Sequence, residues 1–406
     1  GIAQPPKYGK RDVSGAAGGT VLDPLTGFFP NVAVFDFRSL YPTIIRTFNI
    51  DPLAHARAAG DNRIFAPNGA GFSRSPGILP ELIASYFAAR RRALEAGDEE
   101  ASHVYKILMN SFYGVLGTSS CRYGRTELAG SITAFARKWL YVSRDWFNAK
   151  GFRVLYGDTD SLFVESGLGD RAAYGDFLKL GNALAGELNA GLACQIQDEY
   201  KLDSFLELRF EKAYRRFMIP PLRGFQNREN RGRAKGYGGW LLDAEGNKQV
   251  EVKGMEAVRS DSTPLARRVQ VELLDLVFSG KGEGELKSYT AAVLNDLRRG
   301  NLDSELVYRK RLSRAPETYT ASTPPQVKAA RALGWKNRKG TVEYVWTLSG
   351  PEPVSLTDSP LDYDHYAGSQ VLPVAMSIAA AAGWNPDMFP QGKGGYFGDG
   401  QMELGF

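Results

Sequence analysis

A chain of 406 residues outgrows a single hydrophobic core, which stops growing at roughly 250–300 residues, so two or three lobes are expected. It is 43% apolar and 23% charged, with no apolar run long enough to cross a bilayer, which sets a membrane span aside. The net charge of +5 favours an anionic partner through weak, salt-sensitive attraction. Cys121 and Cys194 lie far from each other and from His55, His103 and His365, so neither a disulfide scaffold nor a zinc site is indicated, and a reducing cytosol is expected.

In chain order, residues 1–27 are rich in Gly, Pro and Lys and read as a looping lead-in. The first residue is Gly1 and no secretory leader follows it, so the start reads as cut rather than translated. Val32-Ala33-Val34-Phe35-Asp36-Phe37 is apolar on both faces around one acid, the pattern of a strand inside a covered sheet. Apolar residues then recur at helical spacing over 78–97 and 99–117, with Gly97 as a stop and Asp98 as an N-cap, which predicts an antiparallel helix pair. Residues 152–156 predict a strand that reverses through Gly157-Asp158-Thr159-Asp160 into Ser161-Leu162-Phe163-Val164, a hairpin with acids at its tip. Thr263-Pro264 opens a helix whose face of Leu265, Val269, Leu273 and Leu276 stops at Gly280. A mainly helical, basic lobe follows it, and residues 392–406 read as a flexible tail.

Two of these acids carry a chemical implication. Phosphoryl transfer onto a hydroxyl can be run by two divalent ions, and such a site needs convergent carboxylates, with oxygen ligands suiting Mg²⁺. Asp36 closes a buried strand and Asp160 sits at a hairpin tip, so neighbouring strands of one sheet could bring both to one metal pair. Either acid alone reads as an N-cap or turn aspartate, and the two contexts together favour the metal site.

Asp36-Phe37-Arg38-Ser39-Leu40-Tyr41-Pro42-Thr43-Ile44-Ile45 resembles the first polymerase motif of family B DNA polymerases. Lys106-Ile107-Leu108-Met109-Asn110-Ser111-Phe112-Tyr113-Gly114 resembles the second, and Tyr156-Gly157-Asp158-Thr159-Asp160-Ser161 the third, in the family's order. Each has several specified positions, so chance seldom yields the full set. Tyr308-Arg309-Lys310-Arg311-Leu312, Gly350-Pro351-Glu352-Pro353 and Ser359-Pro360-Leu361-Asp362-Tyr363 match the family's bacterial branch, and the similarity spans essentially the whole chain.

The resemblance implies an α+β right-hand polymerase module. An antiparallel-sheet palm would take residues 1–55 and 118–253, helical-hairpin fingers 56–117, a mainly helical thumb 254–391, and the tail 392–406. It implies template-directed addition of dNTPs to a primer 3′ end with release of pyrophosphate, in a bacterial cytoplasm at the nucleoid. Asp36 and Asp160 become metal ligands with the Phe37 carbonyl beside them, for two Mg²⁺ ions with Mn²⁺ able to substitute. Asp158 either joins them or shapes the turn, and Glu211 is either a further palm carboxylate or a surface strand acid. Tyr41 takes the place beneath the incoming sugar, with Ser39 and Leu40 shaping the same pocket. Lys106, Asn110 and Tyr113 share one helix face, where the lysine would grip the triphosphate and give a proton to the leaving pyrophosphate while Asn110 and Tyr113 line the nascent base pair. Arg90 matches a second phosphate position, but Leu94 stands where the family has a lysine, and Arg91 and Arg92 are either its substitute or a solvated charge run.

Lys235 and Tyr237 match a basic-aromatic segment that follows the primer duplex, with Gly236 replacing a basic residue. Lys253 and Arg259 flank a signature close to the primer end, and Arg309, Lys310 and Arg311 either extend this basic track or form a plain solvated face. Gln401, Leu404 and Phe406 resemble the short tail that holds a bacterial sliding clamp. Only 35 residues precede Asp36, which leaves no room for the family's proofreading exonuclease, so a fragment or one part of a split enzyme is expected, with the N-terminal portion as a missing partner. Asp98-Glu99-Glu100 reads as helix-start acidity rather than a nuclease site. The rival readings are a DNA-holding module inactive without its missing half, and a reverse transcriptase or RNA polymerase, which lack these paired motifs.

Overall fold

A computed structural model describes residues 19–60, 62–170, 172–222, 232–242, 247–259 and 262–389. The chain falls into two compact units, one of residues up to 23 with 31–213, the other of 24–30 with those from 214 on. In chain order the first elements are β1 (Val21–Leu22), β2 (Gly27–Phe37), α1 (Leu40–Thr47), α2 (Pro52–Ala56), β3 (Ile64–Phe65), β4 (Gly71–Phe72), α3 (Ile78–Glu95) and α4 (Glu99–Leu116). They continue with α5 (Thr126–Ala149), β5 (Arg153–Asp158), β6 (Ser161–Glu165), α6 (Tyr174–Tyr200) and β7 (Leu208–Ile219).

The first unit is built on the strand order β1-β5-β6-β2-β7, and β1/β5, β5/β6 and β2/β6 pair antiparallel. Residues 31–35 and Phe37 of β2 are buried, and the half-buried exception within that run is Asp36. The acid thus stands out of a strand whose neighbours on both sides need the core. Phe35 and Phe37 fall on one face, where Phe35 meets Phe147 at 4.7 Å and Phe210 at 5.8 Å. The core continues through Phe48, stacked on Phe135 at 3.7 Å, with Trp139 behind. Helix α4 starts as its N-cap foretells, with Asp98 accepting from the Ala101 amide at 2.9 Å, and Gly97 takes the positive φ that lets α3 turn into it.

The second unit holds the rest of β7 with β8 (Tyr237–Leu242) and β9 (Lys248–Lys253), then α7 (Pro264–Phe278) and α8 (Glu283–Arg298). Beyond these lie β10 (Tyr308–Leu312), α9 (Pro325–Ala332), β11 (Gly340–Thr347), β12 (Gly350–Pro353), α10 (Tyr363–Tyr366) and α11 (Leu372–Ala381). Thr263 caps α7 by accepting from the Ala266 amide at 3.2 Å, and Leu265, Val269 and Leu273 are buried as the spacing predicts. Helices predominate here, but β10, β11 and β12 also pair into an antiparallel sheet that the sequence reading lacked. Tyr308-Arg309-Lys310-Arg311-Leu312 is therefore a strand, with Tyr308 and Leu312 in the core and arginines outward. Its dense charge hid the alternation. Among the described residues no helix is long and apolar enough to cross a membrane.

Candidate active site

Strands β5 and β6 are joined by the two-residue turn Thr159-Asp160, and Thr159 adopts φ 57°, a left-handed conformation strained for a β-branched residue. The Thr159 amide donates to the Thr20 carbonyl at 2.8 Å, which helps hold that shape. The Phe37 amide donates to the Asp160 carbonyl at 2.9 Å, Asp36 pairs with Ser161 across β2 and β6, and the Ser161 hydroxyl donates to Asp36 Oδ1 at 2.7 Å. Two acids 124 positions apart in sequence thus converge at one end of the neighbouring strands β2 and β6. Burial pushes the Asp160 carboxyl up to about 7, with the Asp36 charge next in effect and Asp158 and Glu211 adding to it. Burial also raises Asp36, against the Ser161 hydrogen bond and the Lys106 charge, while Glu211 works with it.

The donor set fits a hard divalent cation. The side chains are oxygen donors, they are partly removed from water, and the Asp36 charge disfavours ionisation of Asp160, a repulsion that bound positive charge relieves. Among the described residues no three His, Cys, Asp or Glu are arranged to hold a metal by themselves. Glu211 belongs to this field although its own side chain is exposed. The signal available in the sequence was the alternate spacing of Arg209 and Glu211, which share one face of β7.

Around the pair stand the first two motifs. Ser39 adopts φ 51° ahead of α1, which opens with the buried Leu40. The Tyr41 ring lies 4.7 Å from that of Tyr113, and burial, with Tyr113 and Asp160 adding, pushes its hydroxyl up to about 12. Lys106 and Asn110 are exposed on α4, one turn apart on the face that Tyr113 extends, and the Lys106 charge reaches Asp36. Arg90 on α3 donates from Nε to Ser102 Oγ at 3.4 Å. Leu94 is 51% exposed one turn on, and Arg91 and Arg92 are exposed as well. All of these lie in the first unit.

Within the second unit the basic-aromatic segment and the next signature meet. Tyr237 opposes Lys253 across β8 and β9, and its ring packs on Phe217 at 5.2 Å. Gly254 has φ 59°, and a Cβ there would fall on the Lys235 carbonyl oxygen, so only glycine lets the two segments approach. Arg259 follows the turn Glu256–Val258, and its carbonyl accepts from Arg267 at 2.8 Å. Gln401, Leu404 and Phe406 lie outside the described residues.

The family model for DNA polymerase family B matches residues 3–348. The chain belongs to DNA polymerase family B. It is 40% identical to DNA polymerase II of Escherichia coli K12 over 92% of its own length and 48% of that protein's. It is 30% identical to a DNA polymerase of Thermococcus sp. 9oN-7 over 92% of its length and 48% of the relative's. Among solved structures, the family B DNA polymerase of the hyperthermophilic archaeon Pyrobaculum calidifontis matches with a TM-score of 0.62 at 27% identity, covering 92% of this chain and 48% of that one. The chain thus spans about half the length of these family B relatives.

Proposed function

We propose that this chain is the polymerising module of a DNA-templated DNA polymerase, which adds dNTPs to a primer 3′ end and releases pyrophosphate. The observation that carries the reading is the partly buried convergence of Asp36 and Asp160 beside Tyr41 and under the Lys106 charge. In this reading the palm is residues 1–55 and 118–253, the fingers 56–117 and the thumb 254–391. Asp36, Asp160 and the Phe37 carbonyl would hold two Mg²⁺ ions, or Mn²⁺ in their place. When bound, these supply Lewis-acid stabilisation of phosphoryl charge and a more acidic 3′-hydroxyl.

The chain's own residues do the rest. Ser161 fixes the Asp36 carboxylate, and Lys106 Nζ binds the triphosphate and passes a proton to the leaving pyrophosphate. Tyr41, braced by Tyr113, lies beneath the sugar together with Ser39 and Leu40, so that a 2′-hydroxyl collides with the ring. Asn110 and Tyr113 line the nascent base pair, and Arg90 takes a phosphate. Lys235, Tyr237, Lys253 and Arg259 hold the primer-template through its backbone, which carries affinity without base preference and suits an enzyme that copies any sequence. Gln401, Leu404 and Phe406 are assigned to a sliding clamp on sequence alone, and a bacterial cytoplasm completes the reading.

Primer extension by this chain with Mg²⁺ tests it. Asp36→Ala and Asp160→Ala should each lower the rate by about a thousandfold or more, the loss of a principal source of transition-state stabilisation. Extension by both variants at the parent's rate sinks the metal assignment, and salt-sensitive DNA binding without extension by the parent favours a DNA-holding module.

A further inference from the structure

Asp160 meets Asp36 from a turn that resists its own shape. Thr159 holds φ 57°, a conformation that persists in a β-branched residue only where the surroundings over-determine it. One flank of the turn is fixed by β2, since the Phe37 amide donates to the Asp160 carbonyl at 2.9 Å. The Asp160 amide donates to the Asp158 carbonyl at 2.6 Å, which closes the turn but ties it to nothing outside itself. The other flank rests on β1. There Val21 opposes Asp158, Leu22 opposes Gly157, and the Thr20 carbonyl accepts from the Thr159 amide at 2.8 Å.

Strand β1 is two residues long and ends the strand order of its sheet, so its own ladder holds it weakly. A further hold comes from α5, which packs against β5 and β6. Arg137 Nε on that helix donates to Thr20 Oγ1 at 2.9 Å, a bond between residues 117 positions apart. The approach of residues 19–22 to the turn is close. A Cβ on Gly19 would fall 2.4 Å from Thr159 Oγ1 and 2.8 Å from its Cγ2, atoms of a stiff side chain. A Cβ on Gly157 would fall 2.7 Å from Leu22 Cδ1. Two glycines therefore let this strap lie flat against the turn, and the Thr159 hydroxyl donates to Asp158 Oδ1 at 3.2 Å within it.

We propose that Thr20 and Arg137 are positioning residues for nucleotidyl transfer: their hydrogen bond seats β1, β1 holds Thr159 in its left-handed conformation, and that conformation aims Asp160 at Asp36. The inference rests on the polymerase reading for the reaction, and on the geometry of the strap for the turn. The cation that acts on the Asp36 carboxyl is Lys106, so Arg137 works through backbone shape rather than through its field. Release of the strap displaces the residue after Thr159, which is Asp160, and leaves Arg90 and Lys106 where α3 and α4 hold them. Turnover is lost while nucleotide binding is kept.

The test uses the 406-residue chain and two readouts: kcat and dNTP KM in primer extension, and hydrogen exchange at the Thr159 amide. Thr20→Val removes the acceptor and keeps the branched shape, and Arg137→Ala removes the donor. Each should lower kcat about tenfold with the dNTP KM unmoved, the loss expected of a group that orients a ligand from behind it. Each should also speed Thr159 exchange about tenfold. The double variant should lose no more than either single one, because both remove the same bond. Thr20→Ser, which keeps the hydroxyl, should retain the parent's values, and thermal melting identifies any variant that fails to fold. Unchanged kcat in the folded variants overturns the inference. So does a raised dNTP KM with kcat unmoved, an additive loss in the double variant, or a Thr20→Ser chain as impaired as Thr20→Val. If the parent chain extends no primer, the polymerase reading fails and exchange at Thr159 alone decides the strap.

Discussion

A tyrosine beside an apolar strand is ordinarily a core residue, and Tyr41 is set apart by where its ring is held. Tyr113 braces it at 4.7 Å and the Asp160 charge acts on its hydroxyl, so the ring borders the carboxylate pair rather than the core alone. Tyr41→Ala should therefore raise ribonucleotide use relative to dNTP by about 10- to 100-fold, measured as the ratio of kcat/KM values, because a steric wall is removed without loss of a ligand. His365 shows the same dependence of meaning on surroundings. Its ring stacks on Trp346 at 4.2 Å, its Nε2 meets the Tyr308 hydroxyl at 3.0 Å, and burial pushes it from 6.5 down to about 4 despite the Asp362 charge. Between those values the unfolded chain binds a proton that the folded chain refuses, so stability rises with pH through this window and is lost as pH falls from 6.5 towards 4. Urea titrations at stepped pH should show a slope of about 1 kcal/mol per unit from this group, which His365→Phe flattens while keeping the stack. An unaltered slope in the variant assigns the pH dependence elsewhere.

Helices α3 and α4 were legible from apolar period, Gly97 and Asp98, because caps and amphipathic faces are local properties. What anchors α3 was not. Asp51, 1% exposed, accepts from the Leu53 and Ala54 amides at the start of α2 with Oδ1, and from the Ile78 and Leu79 amides at the start of α3 with Oδ2. Asn49 adds a bond from the Gly77 amide and donates to the Ser73 and Ser75 carbonyls at 2.7 Å. One buried carboxylate thus caps two helices, and α3 carries Arg90. Asp51→Ala should cost about 2–4 kcal/mol by chemical denaturation, since four amides lose their acceptor without access to water. Asp51→Asn, which keeps one acceptor oxygen, should cost less. Equal stability of parent and Asp51→Ala would remove the double cap from the account.

For the molecule as a whole, a net charge of +5 would make the proposed DNA affinity an electrostatic quantity, and the prediction is in its salt dependence. Lys235→Ala should reduce the slope of log affinity against log salt by about one unit and weaken primer-template binding evenly across sequences. An unchanged slope, read by fluorescence anisotropy, would take Lys235 off the duplex. By itself the sequence determined the buried strand around Asp36, the helix pair, the acidic hairpin and, through three ordered motifs, membership of family B, since each is written in residues close together along the chain. The sheet β10-β11-β12 escaped it because charge masked alternation, and Glu211 remained open because its neighbours were unknown. Only tertiary structure decided which charges meet. Arg38 and Glu207 are 169 positions apart, Asp51 reaches Ile78 from 27 away, and Lys235 needs a glycine at 254. Strand order and register make those encounters, and neither is carried by local periodicity.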